Sequence, residues 1–269
     1  MTLSRACLLP LLAVSLISAA DAPAKKAPVL LNDGQHGSVS GQFLLEGAVP
    51  KPEIIVKQGD PAAKDASVCA AKNLVSDALV IDPKTKGIRH IFVYIRKFDA
   101  TKIHPKLKDA AKQDLVFDQK GCQFTPHTLV VRTGQNVVVK SGDNCAHNTH
   151  TYPIRNRANN FILNANNRTG IKLKHPLAEF LPTTVKCDIH PWMGAYWLIL
   201  DHPYAAVTDA QGRFTVTGLP AGEYEFRCWQ ERVGYVAAGT RRGFKVTIKA
   251  GQTTKLPATN VPVAKFKED

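Results

Sequence analysis

Residues 186–200 read KCDIHPWMGAYWLIL, and they place Cys187, His190 and Met193 in a C-x2-H-x2-M pattern directly ahead of an apolar, aromatic-rich segment. The segment from Gly194 onward has the side-chain composition of a buried strand. A thiolate, an imidazole and a thioether on one tight loop make a soft donor set, and a Cys with two His and a weak axial Met is the blue-copper arrangement. The second imidazole has to come from elsewhere. Upstream, KSGDNCAHNTHTYP at 140–153 offers His147, with His150 as a rival for the same role.

Working outward, the chain reads as one short strand after another. DLVFD (114–118), HTLVVRTGQNVVVKSG (127–142, turning at Gly134-Gln135), TTVKC (183–187) and AYWLILD (195–201) surround the loop. Before them, GSVSGQFLLEG (37–47) alternates with Val39, Phe43 and Leu45 on one face, and EIIVK, ALVID and IRHIFVYIRKF follow as further strand candidates. Residues 100–114 hold a short helical turn limited by Pro105. With no long amphipathic helix, the expected fold class is all-β, with strands stacked as sandwiches.

The run FTPHTLVVRTGQNVVVKSGDNCAHN (124–148) followed by CDIHPWM (187–193) resembles the cupredoxin family, and the loop spacing is similar to the short ligand loop of amicyanin. The resemblance covers roughly residues 115–201. It implies a Greek-key β-sandwich holding one type 1 copper through His147, Cys187, His190 and Met193, with Asn148 tying the two ligand loops together. It also implies one-electron transfer to redox protein partners through the exposed edge of His190, and no enzymatic activity. Cys145, two residues from His147, is not an ordinary feature of that family, and His127 has no role in it. His175 and His202 read as structural.

Zinc is the competing metal, but structural zinc sites take four Cys or His ligands and no C-x-x-C pair accompanies the loop. The paired cysteines of a binuclear copper centre are missing from the loop, as is a His-Cys neighbour pair.

A second resemblance lies downstream. AVTDAQGRFTVTGLPAGEYEFRCW (206–229) is similar to the transthyretin-like, carboxypeptidase regulatory-like β-sandwich. The opening strands of such a module find no room after Asp201 and match GSVSGQFLLEG and IRHIFVYIRKF instead. The resulting organisation is a signal peptide at 1–20, a linker at 21–36, a first half-sandwich at 37–114, the copper domain at 115–202 and the transthyretin-like remainder at 203–269. Trp229 and Tyr235 read as core aromatics, and no glycosidase pair is recognisable.

At the N-terminus, Arg5, the apolar run CLLPLLAVSLISA and Ser18-Ala19-Ala20 have the form of a cleaved export signal, so a periplasmic or secreted location is expected. No segment reaches the ~20 apolar residues of a membrane-spanning helix. Beyond Cys7, five cysteines remain; if Cys187 is a ligand, the other four allow three pairings, and Cys69 with Cys122 and Cys145 with Cys228 is the expected one. The 35 Lys and Arg against 22 Asp and Glu are scattered rather than clustered, which argues against nucleic acid and favours partners that are acidic on their docking face. The alternative function is an extracytoplasmic copper-binding or carbohydrate-binding module, touching a cell envelope, without a redox-carrier role.

Overall fold

In the strand His36–Glu46 the inward positions Val39, Phe43 and Leu45 are all but fully buried, as the period-two pattern requires. The computed structural model describes residues 28–108, 112–236 and 243–266. The chain is all-β: among the described residues the only α-helical segments are the single turns Ala66–Cys69 and Pro105–Lys108.

Two pairs of sheets enclose two hydrophobic cores. In the first pair, His36–Glu46 runs antiparallel to Arg213–Pro220 and parallel to Thr253–Lys255 and Thr259–Pro262. The facing sheet sets Phe92–Ile95 between Ala205–Val207 and Gly222–Gln230, and Gly234–Tyr235 and Phe244–Ile248 flank the last of these. Val39, Phe43, Val93, Val216, Phe226 and Val246 meet between them. Strands from near both ends of the chain therefore share one core.

The second pair is built from the middle of the chain. One sheet runs Asn160–Leu163, His147–Tyr152, Thr183–Lys186, Gly194–Leu200, Thr128–Arg132; the other runs Ile171–Lys174, Asn136–Ser141, Leu115–Gln119, Phe124–Thr125. Trp197 stands edge-on to Phe117 at 4.9 Å, and Phe117 stacks on Phe124 at 5.0 Å, contacts that stabilise by about 0.5–1.5 kcal/mol each beyond simple burial. A smaller seam of Phe92, Tyr94, Leu198 and Leu200 joins the two pairs.

A covering piece comes from upstream: the hairpin Ile54–Val56 with Leu74–Val75, and the turn Ala66–Cys69 between them, pack Val56, Cys69 and Leu74 onto the second core. The Cys69–Cys122 disulfide fastens it.

Several expectations need correction. Cys145 and Cys228 do not pair: both are free thiols, and they lie in different cores, Cys145 in the second and Cys228 in the first. ALVID forms no strand beyond a single bridge from Ile81 to Ile88. The stretch holds a 3-10 turn, Ala100–Lys102, that ends before Pro105, and Pro105 itself opens a second turn, Pro105–Lys108, since a first helical position needs no N–H. Within the stretch read as a linker, Leu31 N–H donates to Thr217 and Asn32 to Thr253. The export signal lies outside the described residues.

Candidate metal centre

His147 opens the strand His147–Tyr152, and Cys187 directly follows Thr183–Lys186. These strands are neighbours with Lys186 opposite His150, so their register carries the two loops to one end of the sheet. Asn148 fastens the loops: its Oδ1 accepts from the N–H of Asp188 (2.6 Å) and Ile189 (3.3 Å), and its Nδ2 donates to Asp188 Oδ2 (2.8 Å). The loop closes on itself through Met193 N–H to His190 O at 2.9 Å and Cys187 N–H to Met193 O at 3.3 Å.

The donor atoms of His147, Cys187 and His190 all lie within 4.8 Å of one another and are buried. The Nδ1 atoms of the two imidazoles are 2.9 Å apart, and Cys187 Sγ is 3.7 Å from His190 Nδ1. Their far nitrogens face carboxylates: His147 Nε2 is 2.9 Å from Asp143 Oδ2 and His190 Nε2 is 3.0 Å from Asp65 Oδ2. An ionised carboxylate only accepts, so the Nε2 proton of each ring points at its carboxylate and the two Nδ1 atoms are left facing each other, a spacing at which a proton or a cation must lie between them. A thiolate completes a set that fits a soft, imidazole-binding metal such as copper. Met193 is buried in the same core as Cys187.

The electrostatics prepare the thiolate. Burial pushes the Cys187 thiol up, but hydrogen bonds from His147 and His190 and from the N–H groups of Asn148 and His190 outweigh it and bring it down to about 6. Burial lowers His147, yet Asp143 and Cys187 raise it to about 9. Asp143 stays ionised: burial opposes this, and His147 with the N–H groups of Cys122 and Gly121 prevails. Cys145, 3.6 Å from His147 Nε2, is held up at about 11, first by burial and then by the charges of Asp143 and Asp65.

His190 is fully buried, which overturns the expectation of an exposed imidazole edge. The covering piece is the physical cause, because it sets Asp65 against His190 Nε2. Asp65 itself is about one-third exposed. No local motif marks Asp65 in the sequence; only the disulfide and hairpin that carry it could have signalled it. Asp143, four residues before His147, has the same status.

The other histidines lie apart from this set. His150 faces outward onto Asp188 and Tyr152. His127 bridges Gly194 O and Glu231, His175 packs against Trp197, and His202 accepts from Tyr204 N–H.

The sequence matches no protein-family model and no curated protein. Among solved structures it is similar to the reduced Cu(I) form at pH 4 of the P52G mutant of amicyanin, at 18% identity and a TM-score of 0.29, covering 40% of this chain and 97% of that one. A purple cupredoxin from Nitrosopumilus maritimus gives 18% identity and 0.26, over 32% of this chain and 99% of the other. The copper-containing nitrite reductase of Thermus scotoductus SA-01 gives 15% and 0.27, over 32% of this chain; only 22% of that enzyme's length is spanned.

Proposed function

We propose that this protein is an electron carrier, not an enzyme, in which His147, Cys187, His190 and Met193 would hold one copper of the type 1 class. The observation that carries this reading is the convergence of two buried imidazole Nδ1 atoms on a low-pKa thiol, each ring backed by a carboxylate. Bound there, copper supplies a one-electron Cu(II)/Cu(I) couple. The residues do the rest. Cys187 offers a thiolate at neutral pH, Asp143 and Asp65 hold the rings in orientation, Asn148 ties the loops, and the second core excludes water from the donors.

The domain reading is that residues 115–202 form a cupredoxin-like copper domain inserted between 37–114 and 203–269, two parts of one transthyretin-like sandwich. The pairing of His36–Glu46 with Arg213–Pro220, and of Phe92–Ile95 with Gly222–Gln230, supports it. Export to the periplasm or beyond fits the signal-like N-terminus, and the formal charge of +13 favours partners acidic on their docking face. With His190 covered, such a partner meets Asp65 and its hairpin before it meets the ring.

The test is the visible and EPR spectrum of the Cu(II)-loaded chain beside Cys187→Ser. An intense thiolate-to-copper band with narrow hyperfine splitting, lost in the variant, is the expected result. A colourless or tetragonal Cu(II) protein overturns the proposal.

A further inference from the structure

Away from that centre, in the first pair of sheets, Asp33, His36 and His104 bring their donor atoms within 4.8 Å of one another. His36 opens the first strand, and His104 directly precedes the turn Pro105–Lys108. The two rings meet edge-on with centroids 4.5 Å apart, and the Asp33 carboxylate bridges one nitrogen of each: His36 Nδ1 is 2.8 Å from Oδ1, and His104 Nε2 is 3.3 Å from Oδ2. The N–H groups of Gln35 and His36 both donate to Oδ1 at 2.8 Å, which orients the carboxylate and leaves Oδ2 turned toward His104. Tyr204 sets the third member, because its hydroxyl oxygen accepts from His104 N–H at 3.0 Å.

The rings and the carboxylate are differently placed toward water. The side chains of His36 and His104 are 12% and 7% exposed, whereas that of Asp33 is 50% exposed. An open cavity of about 410 Å³ adjoins all three residues, and Leu31, Gln35, Pro105 and Lys106 help to line it. The cluster therefore has two dehydrated imidazoles, one anchored carboxylate and a solvent-connected space in front of them. Nothing in the proposed electron transfer uses any of these groups.

We propose that Asp33, His36 and His104 form a second metal site, for a borderline divalent cation of the Zn(II) type, with an open coordination position turned to the cavity. Imidazole nitrogen and carboxylate oxygen are ordinary Zn(II) ligands, and three protein donors with the remaining position left to water or a ligand is the pattern of open rather than structural zinc sites. Two neutral imidazoles and one carboxylate leave the bound ion with a net positive charge, and Lys106 adds another at the cavity wall. The open position therefore takes an anionic ligand or hydroxide. Metal entry moves the ring proton of His36 from Nδ1 to Nε2 and that of His104 from Nε2 to Nδ1, and it gives up the 3.2 Å hydrogen bond that His104 Nδ1 now accepts from Lys106 N–H. The metal bond replaces it.

The experiment is calorimetric titration of Zn(II) into the full chain carrying Cys187→Ser, which removes the thiolate from the first centre, and into wild-type chain preloaded with copper, which fills that centre. One Zn(II) per chain with a Kd below about 1 µM is expected in both. Asp33→Asn, His36→Gln and His104→Gln should each weaken it about a hundredfold, and Co(II) in the same site should show visible d–d bands that these variants lose. Far-UV circular dichroism of the metal-free variants checks folding, and His36→Gln alone carries the test should the more buried His104 variant not fold. Zn(II) binding weaker than about 0.1 mM, or binding that persists in His36→Gln, overturns the site. The outcome is independent of the copper reading, because loss of the blue band leaves the Zn(II) titration of Cys187→Ser unchanged.

Discussion

Among Cys145, Cys187 and Cys228, only Cys187 should be a thiolate at neutral pH in the metal-free protein. Its thiol sits at about 6 because His147 and His190 donate to it, whereas burial holds Cys145 at about 11 and Cys228 far above the ordinary thiol range. At pH 7 a group titrating near 6 is about nine-tenths ionised, against a few per cent for an ordinary thiol near 8.5. The perturbation is a pH ramp from 4 to 9, read as thiolate absorbance near 240 nm in the metal-free chain and in Cys187→Ser. One thiolate should appear with a midpoint near 6 in the first and none in the second. A midpoint above 8, or a step that survives in Cys187→Ser, refutes the reasoning. The same shift sets a stability slope. A lowered folded-state value means that the contribution of Cys187 is complete above the unfolded value near 8.5 and is lost as pH falls through about 6. His147 acts in the opposite sense: raised to about 9, its contribution is complete below the unfolded value near 6.5 and is lost as pH rises through about 9. The two slopes cancel between about pH 6.5 and 8.5, so the melting temperature of the metal-free protein should be flat there as far as this pair is concerned.

Three further outcomes follow from the neighbourhood of the centre. Asp65→Ala should uncover His190 Nε2 and speed reduction of the Cu(II) protein by a small reductant such as ascorbate in stopped flow; an unchanged rate would mean that the cover does not limit access. Cys145→Ser should leave the blue band in place, because Cys145 lies beside Nε2 of His147 while the converging atom is Nδ1; loss of the band would make Cys145 a ligand. Removing the disulfide with Cys69→Ala and Cys122→Ala should lower stability by about 4 kcal/mol on the chain-entropy estimate for its 53-residue separation, read as a shift in urea midpoint; no shift would mean that the covering piece holds without it.

The strands that could be read in advance are those whose burial is one-sided or complete. Gly194–Leu200 and Phe92–Ile95 are dense in aromatic and branched side chains, and Asn136–Ser141 carries three successive valines. Among the strands that escaped are Asn160–Leu163, Ile171–Lys174 and His147–Tyr152. The first two are four-residue edge strands, and the third buries Thr149 and Thr151 where an apolar residue would have announced the pattern. The failed pairing of Cys145 with Cys228 has a similar origin. Parity arguments count cysteines, but a bond needs Cα atoms within about 7 Å, and these two belong to separate cores.

For the candidate centre, residue chemistry and spacing alone nominated a thiol, one imidazole and a thioether, because a C-x2-H-x2-M loop is a local feature that needs no partner to be recognised, while the choice of His147 over His150 as second imidazole came from the family resemblance. Local spacing says nothing of what lies across the fold. Strand register decided that His147 Nδ1 and His190 Nδ1 would face each other, and the Cys69–Cys122 disulfide, which holds a segment 125 residues upstream of His190, decided that Asp65 would cover it. Whether the ring meets solvent or a carboxylate depends on that long-range closure, and closure is a property of packing that no stretch of sequence contains by itself.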